Sequence, residues 1–123
     1  MKKILVIDDE MDLCELVKAS LETGGFYEVC IAHNGSDGIR IAETEKPDLI
    51  LLDIIMPKTG GFAVLKELKG RDSTRAIPVV MLSALGDEPN RVRALGMLAD
   101  SFLVKPVEVA ALSAKIEEIL GRR

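Results

Sequence analysis

Short aliphatic runs alternate with stretches of helical spacing along the whole chain. Residues 4–7 are four consecutive aliphatics followed by acids, the pattern of a strand buried on both faces. Leu13, Leu16, Val17 and Leu21 then recur at helical spacing, and Gly24-Gly25 supplies a C-terminal stop. Residues 27–32 form a second strand candidate. Asn34-Gly35-Ser36 reads as a turn carrying an N-cap, and Gly38, Ile41 and Ala42 line one face of a helix that Pro47 closes. Residues 49–52 are a third strand, again purely aliphatic.

The segment from Met56-Pro57 to Gly60-Gly61 reads as a loop. Phe62, Leu65 and Leu68 then make a helical stripe ending near Gly70. Residues 78–82 are a fourth buried run with proline tolerated at its start. A short polar helix is expected over residues 87–95, holding Val92 and Leu95, and a short fifth strand over residues 102–104. The last helix carries Val109, Leu112, Ile116 and Ile119. Five β–α units in a row predict a parallel sheet with helices on both faces, joined by right-handed crossovers. No repeat, low-complexity tract or linker interrupts them, so a single domain over residues 1–123 accounts for the chain.

Composition narrows the function classes. The 123 residues are 48% hydrophobic and 29% charged, which suits one globular domain and rules out wholesale disorder. The apolar runs fall far short of the roughly 20 residues that span a bilayer. Met1-Lys2-Lys3 looks like the start of a signal peptide. The apolar stretch stops after four residues at Asp8-Asp9-Glu10, with no small-residue cleavage site, so a cytoplasmic location is expected. Cys14 and Cys30 are too few and too isolated for a disulfide framework or a zinc site, and read as small buried hydrophobes. With 16 basic against 20 acidic residues, a net charge of −4, direct nucleic-acid binding is disfavoured. His33 is the only histidine and falls in a turn, which argues against a multi-histidine metal site.

In a sheet covered on both faces, polar residues at strand ends carry the information. Asp8 and Asp9 close the first strand, Asp53 the third and Ser83 the fourth, and Lys105-Pro106 follows the fifth. Each alone is ordinary: an Asp pair marks a turn, a Ser an N-cap, a Lys-Pro a loop. Together they occupy the carboxyl ends of four strands, where open α/β sheets bind ligands at the switch in strand order. The flavodoxin-like order 2-1-3-4-5, a (βα)5 three-layer sandwich, would gather the three aspartates into one pocket within reach of Ser83 and Lys105. Clustered carboxylates need a cation, and Mg²⁺ best suits one or two carboxylates, retained waters and a phosphate oxygen. Lys105 would pair with Asp53 or with a phosphoryl group, and Ser83 offers a hydroxyl donor. A carboxylate in such surroundings is a plausible nucleophile for phosphoryl transfer.

Four segments carry a resemblance that extends over the whole chain. They are Ile4-Leu5-Val6-Ile7-Asp8-Asp9-Glu10, Pro47-Asp48-Leu49-Ile50-Leu51-Leu52-Asp53-Ile54-Ile55-Met56-Pro57, Pro78-Val79-Val80-Met81-Leu82-Ser83-Ala84 and Phe102-Leu103-Val104-Lys105-Pro106. In this order and spacing they resemble the receiver domain of bacterial two-component response regulators, similar to the chemotaxis regulator. The resemblance implies that Asp53 accepts a phosphoryl group from a phosphohistidine on a sensor histidine kinase or a phosphotransfer protein. It implies Mg²⁺, with Mn²⁺ as a substitute, held directly by Asp9, Asp53 and the backbone carbonyl of Ile55, with Asp8 acting largely through water. Lys105 and Ser83 would contact the phosphoryl oxygens, Ser83 and Phe102 would switch on phosphorylation, and the peptide before Pro106 would be cis. Ile55 and Leu85 would tune hydrolysis of the acyl phosphate; neither can orient an attacking water, so slow self-dephosphorylation is expected. The output face would be the fourth helix, fifth strand and fifth helix, over residues 88–121. Gly60 before Gly61, and Leu98 where glycine is usual, depart from the family pattern.

The implied function is a signalling switch that catalyses only its own phosphorylation and dephosphorylation and controls a partner or a fused output domain, with room for a phosphorylation-dependent dimer. A haloacid-dehalogenase-like hydrolase would need an acid where Ile55 stands. A flavodoxin-like cofactor carrier would need a Gly-, Ser- or Thr-rich loop where Asp8-Asp9-Glu10 stands. A receiver-like scaffold that works without phosphorylation is the remaining alternative.

Overall fold

The computed structural model describes residues 1–84, 89–90, 93, 96 and 99–121. The elements run β1 (Lys2–Ile7), α1 (Met11–Glu22), β2 (Tyr27–Ala32), α2 (Gly35–Glu45), β3 (Leu49–Asp53), α3 (Gly61–Gly70), β4 (Val79–Ser83), β5 (Ser101–Val104) and α4 (Val109–Leu120). The polar helix expected over residues 87–95 falls largely outside the described residues, as do Leu85 and Leu98.

The five strands form one sheet in the order β2-β1-β3-β4-β5, every neighbouring pair parallel. Alternate strand residues feed two separate cores. Leu5, Ile7, Ile50, Leu52, Val79 and Met81 face Ala42 of α2 and Val64, Leu65 and Leu68 of α3. Ile4, Val6, Leu49, Leu51, Val80 and Leu82 face Cys14, Val17 and Leu21 of α1 and Leu112 and Ile116 of α4. Both faces of each central strand are therefore sealed, which is why the strands read as unbroken aliphatic runs rather than as alternation. Each such Leu or Ile side chain contributes roughly 1.5–3 kcal/mol by leaving water.

The strands extend beyond the apolar runs, to Lys2 at one end and to Asp53 and Ser83 at the other. Pairing there is made by the backbone and needs no aliphatic side chain. Two stripe residues turn outward: Leu16 is 54% exposed and Val109 44% exposed. Asn34 caps α2 as expected, its Oδ1 accepting the Asp37 N–H at 2.8 Å. No helix among the described residues is long and apolar enough to cross a membrane.

Because β1 sits between β2 and β3, the chain leaves the sheet in opposite directions after β1 and β3 and opens a crevice above their carboxyl ends. The floor of that crevice depends on a close approach. The Gly61 N–H donates to the Ile54 carbonyl at 2.8 Å, and a methyl on Gly61 would overlap the Asp53 carbonyl oxygen and the Ile54 backbone. Gly70, at the far end of the same helix, has open space where its side chain would be.

Opposite outcomes are expected for one methyl at the two ends of α3. Gly61→Ala should lower stability by about 2–4 kcal/mol, since backbone must move. Gly70→Ala should raise it by about 0.4–1 kcal/mol. Urea unfolding of both variants checks this.

Candidate functional site

Asp8 follows β1 directly and is completely buried. Its Oδ1 accepts the Glu10 N–H at 2.9 Å, while its buried Oδ2 has no hydrogen-bond partner and lies 3.0 Å from the Lys105 ammonium. Asp53 ends β3, also buried; its Oδ1 accepts the Ile55 N–H at 3.3 Å and its Oδ2 lies 3.4 Å from Lys105 Nζ. Lys105 arrives from the end of β5, where its N–H donates to the Ser83 carbonyl at 2.7 Å and its peptide with Pro106 is cis. The hydrogen bond to Ser83 fixes the lysine backbone at the strand end and leaves the side chain to reach over the crevice.

Ser83, at the end of β4, is buried, and its hydroxyl donates to the Leu103 carbonyl at 3.4 Å. It is therefore turned toward β5. Phe102 is half-buried against the α2–α3 core. Ile55 is 65% exposed at the rim.

Asp9 is exposed, and the carboxylate cluster among the described residues does not include it. Among the described residues that group is Asp8, Glu10 and Asp53, with one oxygen from each lying within 4.8 Å of the others. Glu10 joins it by curling back from the α1 N-cap position to bond Lys105 Nζ at 2.6 Å. The only signal for Glu10 in the sequence is that it is the third acid of a run. Which member of such a run turns inward is decided by the backbone after β1, where the N–H bonded to Asp8 belongs to Glu10.

The electrostatics follow from burial. Burial pushes the Asp53 carboxyl up, to about 7, and the Asp8 charge adds to that, while Lys105 and the Ile55 N–H pull the other way. Burial pulls the Lys105 ammonium down, but its bond to Glu10, its ion pair with Asp8 and the charge of Asp53 outweigh this, and the net shift is up. Cys14 donates from Sγ to the Asp8 carbonyl, and burial followed by the Asp8 charge pushes its thiol up to about 12, so it is a structural thiol. Three carboxylates facing one ammonium, with a buried carboxylate oxygen lacking any hydrogen bond, form a donor set that fits a hard divalent cation such as Mg²⁺.

A raised Asp53 makes the fold sensitive to pH in a definite direction. The folded chain keeps a proton there that the unfolded chain releases near pH 4, so the cost is absent below about pH 4 and grows until about pH 7. Asp53→Asn removes that cost. In metal-free buffer it should raise the thermal midpoint by roughly 5 °C at pH 8 and by little at pH 4. An equal gain at both pH values would show that the carboxylate charge is not the cause.

Comparison with known proteins places this geometry. The sequence model of the response regulator receiver domain matches residues 4–117. The chain is 40% identical over 121 residues to the alkaline phosphatase synthesis transcriptional regulatory protein PhoP of Bacillus subtilis, covering 98% of this chain and 49% of that one. It is 42% identical over 122 residues to the transcriptional regulatory protein CpxR of Klebsiella pneumoniae, covering 99% and 50%. The chain thus spans about half the length of these curated relatives. The crystal structure of the chemotaxis protein CheY4 of Vibrio cholerae matches with a TM-score of 0.90 at 26% identity, over 98% of this chain and 99% of that one. Sequence and fold agree that the chain belongs to the response regulator receiver domain family of two-component systems.

Proposed function

We propose that the chain is a phosphorylation-controlled switch in which Asp53 accepts a phosphoryl group from a phosphohistidine of a sensor histidine kinase or phosphotransfer protein. The observation that carries this is the buried Asp53 carboxylate at a strand's carboxyl end, facing the Lys105 ammonium at 3.4 Å in a member of the receiver family. An Asp53 oxygen attacks phosphorus, the P–N bond breaks, and its electron pair returns to the imidazole nitrogen. Lys105 takes up charge on the phosphoryl oxygens as they arrive. Ser83 must release the Leu103 carbonyl to offer its hydroxyl to the same group, and Phe102 follows into the space it leaves.

Asp8, Asp53 and the Ile55 carbonyl, together with Asp9, would hold Mg²⁺, or Mn²⁺ in its place. When bound, the ion supplies charge neutralisation between these carboxylates and the phosphoryl oxygens. The new charge of about −1.5 to −2 on Asp53 repacks the face over residues 88–121, and so controls a partner or an output domain in the cytoplasm. The chemistry is the domain's own phosphorylation and dephosphorylation, the latter releasing inorganic phosphate to water. The exposed Ile55 side chain cannot orient a water for hydrolysis.

Intact-mass spectrometry after acetyl phosphate or phosphoramidate treatment tests this. A single phosphoryl adduct is expected that needs both Mg²⁺ and Asp53, and Asp53→Asn should abolish it. No adduct in wild type with either donor would instead leave a phosphorylation-independent scaffold. The phosphorylated form should persist for many minutes, and Ile55→Asn should shorten its lifetime. A lifetime of seconds that this substitution leaves unchanged would remove Ile55 from the account.

A further inference from the structure

We infer that Lys18 and Glu22 of α1 together stand in for a sixth strand at the β2 edge, and so close that edge to strand addition by a second copy of this chain. β2 is the outermost strand on its side of the sheet, and it pairs with β1 over all six of its residues without a bulge. Its sequence, Tyr27-Glu28-Val29-Cys30-Ile31-Ala32, carries one charge and neither proline nor glycine. A regular edge of that composition is a template for pairing with another chain. The opposite edge, β5, is only four residues long and offers less. Each residue of a parallel strand points its N–H and its carbonyl to the same side, and the side alternates along the chain. The Phe26 and Ala32 carbonyls accept from the Lys2 and Asp8 N–H groups. The even-numbered residues of β2 therefore face β1, and Tyr27, Val29 and Ile31 face outward.

Val29, the middle one of the three, has both outward groups satisfied from α1. Its N–H donates to Glu22 Oε2 at 2.9 Å and its carbonyl accepts from Lys18 Nζ at 2.9 Å, while Lys18 Nζ and Glu22 Oε2 lie 3.1 Å apart. One donor and one acceptor, four residues apart on a helix, thus offer that residue what a neighbouring strand would offer it. The pair is poorly placed as support for the helix itself. An exposed ion pair contributes little, and lysine before glutamate is the weaker order at this spacing. Glu22 is the last residue of α1, where a negative charge opposes the helix dipole, and no basic residue lies in that turn. The Val29 N–H, ahead of the Lys18 bond, holds the Glu22 carboxyl below its usual range. The order that is unfavourable for the helix is the one that matches the strand. A second copy pairing its own β2 here about a two-fold axis would need the Val29 groups in the middle of the new ladder, and would have to displace both side chains to reach them.

Exchanging the two side chains tests this, because it keeps the ion pair and undoes its match to the strand. In Lys18→Glu/Glu22→Lys an acceptor faces the Val29 carbonyl and a donor faces its N–H. The unphosphorylated chain is followed by sedimentation velocity over a concentration series, with amide exchange of β2 measured by NMR at the dilute and concentrated ends. In the exchanged variant the Val29 amide should exchange about fivefold faster when dilute, the loss of one hydrogen bond. The same variant should self-associate as concentration rises, with protection returning at Tyr27, Val29 and Ile31. Wild type should show no concentration dependence in these amides. Glu22→Gln keeps a side-chain oxygen for the N–H and should follow wild type in both measurements. Lys18→Ala/Glu22→Ala removes both partners, should follow the exchanged variant, and carries the same reading if that variant does not fold. An exchanged variant that matches wild type throughout would reduce the pair to a surface ion pair and overturn the inference. So would faster exchange without self-association, self-association that leaves the β2 amides unprotected, or association of wild type through those amides.

Discussion

The constraint on which everything else depends is that the central strands are sealed on both faces. Side chains of β1, β3 and β4 alternate between a core under α2 and α3 and one under α1 and α4, and both are filled with aliphatics. No ionisable group can sit along the aliphatic stretches of these strands without an uncompensated desolvation cost. Lys2 and Lys3 precede that stretch in β1, and the acids come after it. Asp8, Asp53 and Ser83 stand at carboxyl ends because the stretches before them are closed to polar groups.

Even at those ends the acids are poorly solvated, and this gives the site its character. Asp8 is fully buried and Asp53 is 5% exposed, so neither is stabilised by water as a free carboxylate would be. One ammonium answers them, and only in part: Asp8 Oδ2 faces it without a hydrogen bond, and Asp53 remains raised despite it. The resting crevice is short of positive charge. It is thereby disposed toward a cation. Glu10 adds a third acid, yet costs little, because it stays in water and bonds the lysine from outside.

Much of this is legible in the sequence. The parallel sheet and its strand positions follow from apolar period, and the polar residues that interrupt it include Asp8, Asp53 and Lys105, which the structure brings together. What failed to show were properties of surface geometry. Leu16 and Val109 share the spacing of their stripes but fall at the margin of the helix face, where a period alone cannot say which side of the boundary a residue takes. Val64 lies between Phe62 and Leu65 and is wholly buried, because the stripe under α2 is wider than a three-residue count suggests. The inward turn of Glu10 has the same origin: within a run of acids, composition is constant and only backbone direction distinguishes them.

That direction is set by one hydrogen bond. When the Glu10 N–H bonds Asp8 Oδ1, the loop after β1 tightens, Glu10 becomes the α1 N-cap, and its side chain is thrown back over the crevice while Asp9 is left outside. The same bond consumes the one Asp8 oxygen that could otherwise compete for Lys105, so Oδ2 alone is presented to it. A single backbone contact thus divides the labour among three successive acids: one buried and half-satisfied, one exposed, and one at the rim holding the lysine.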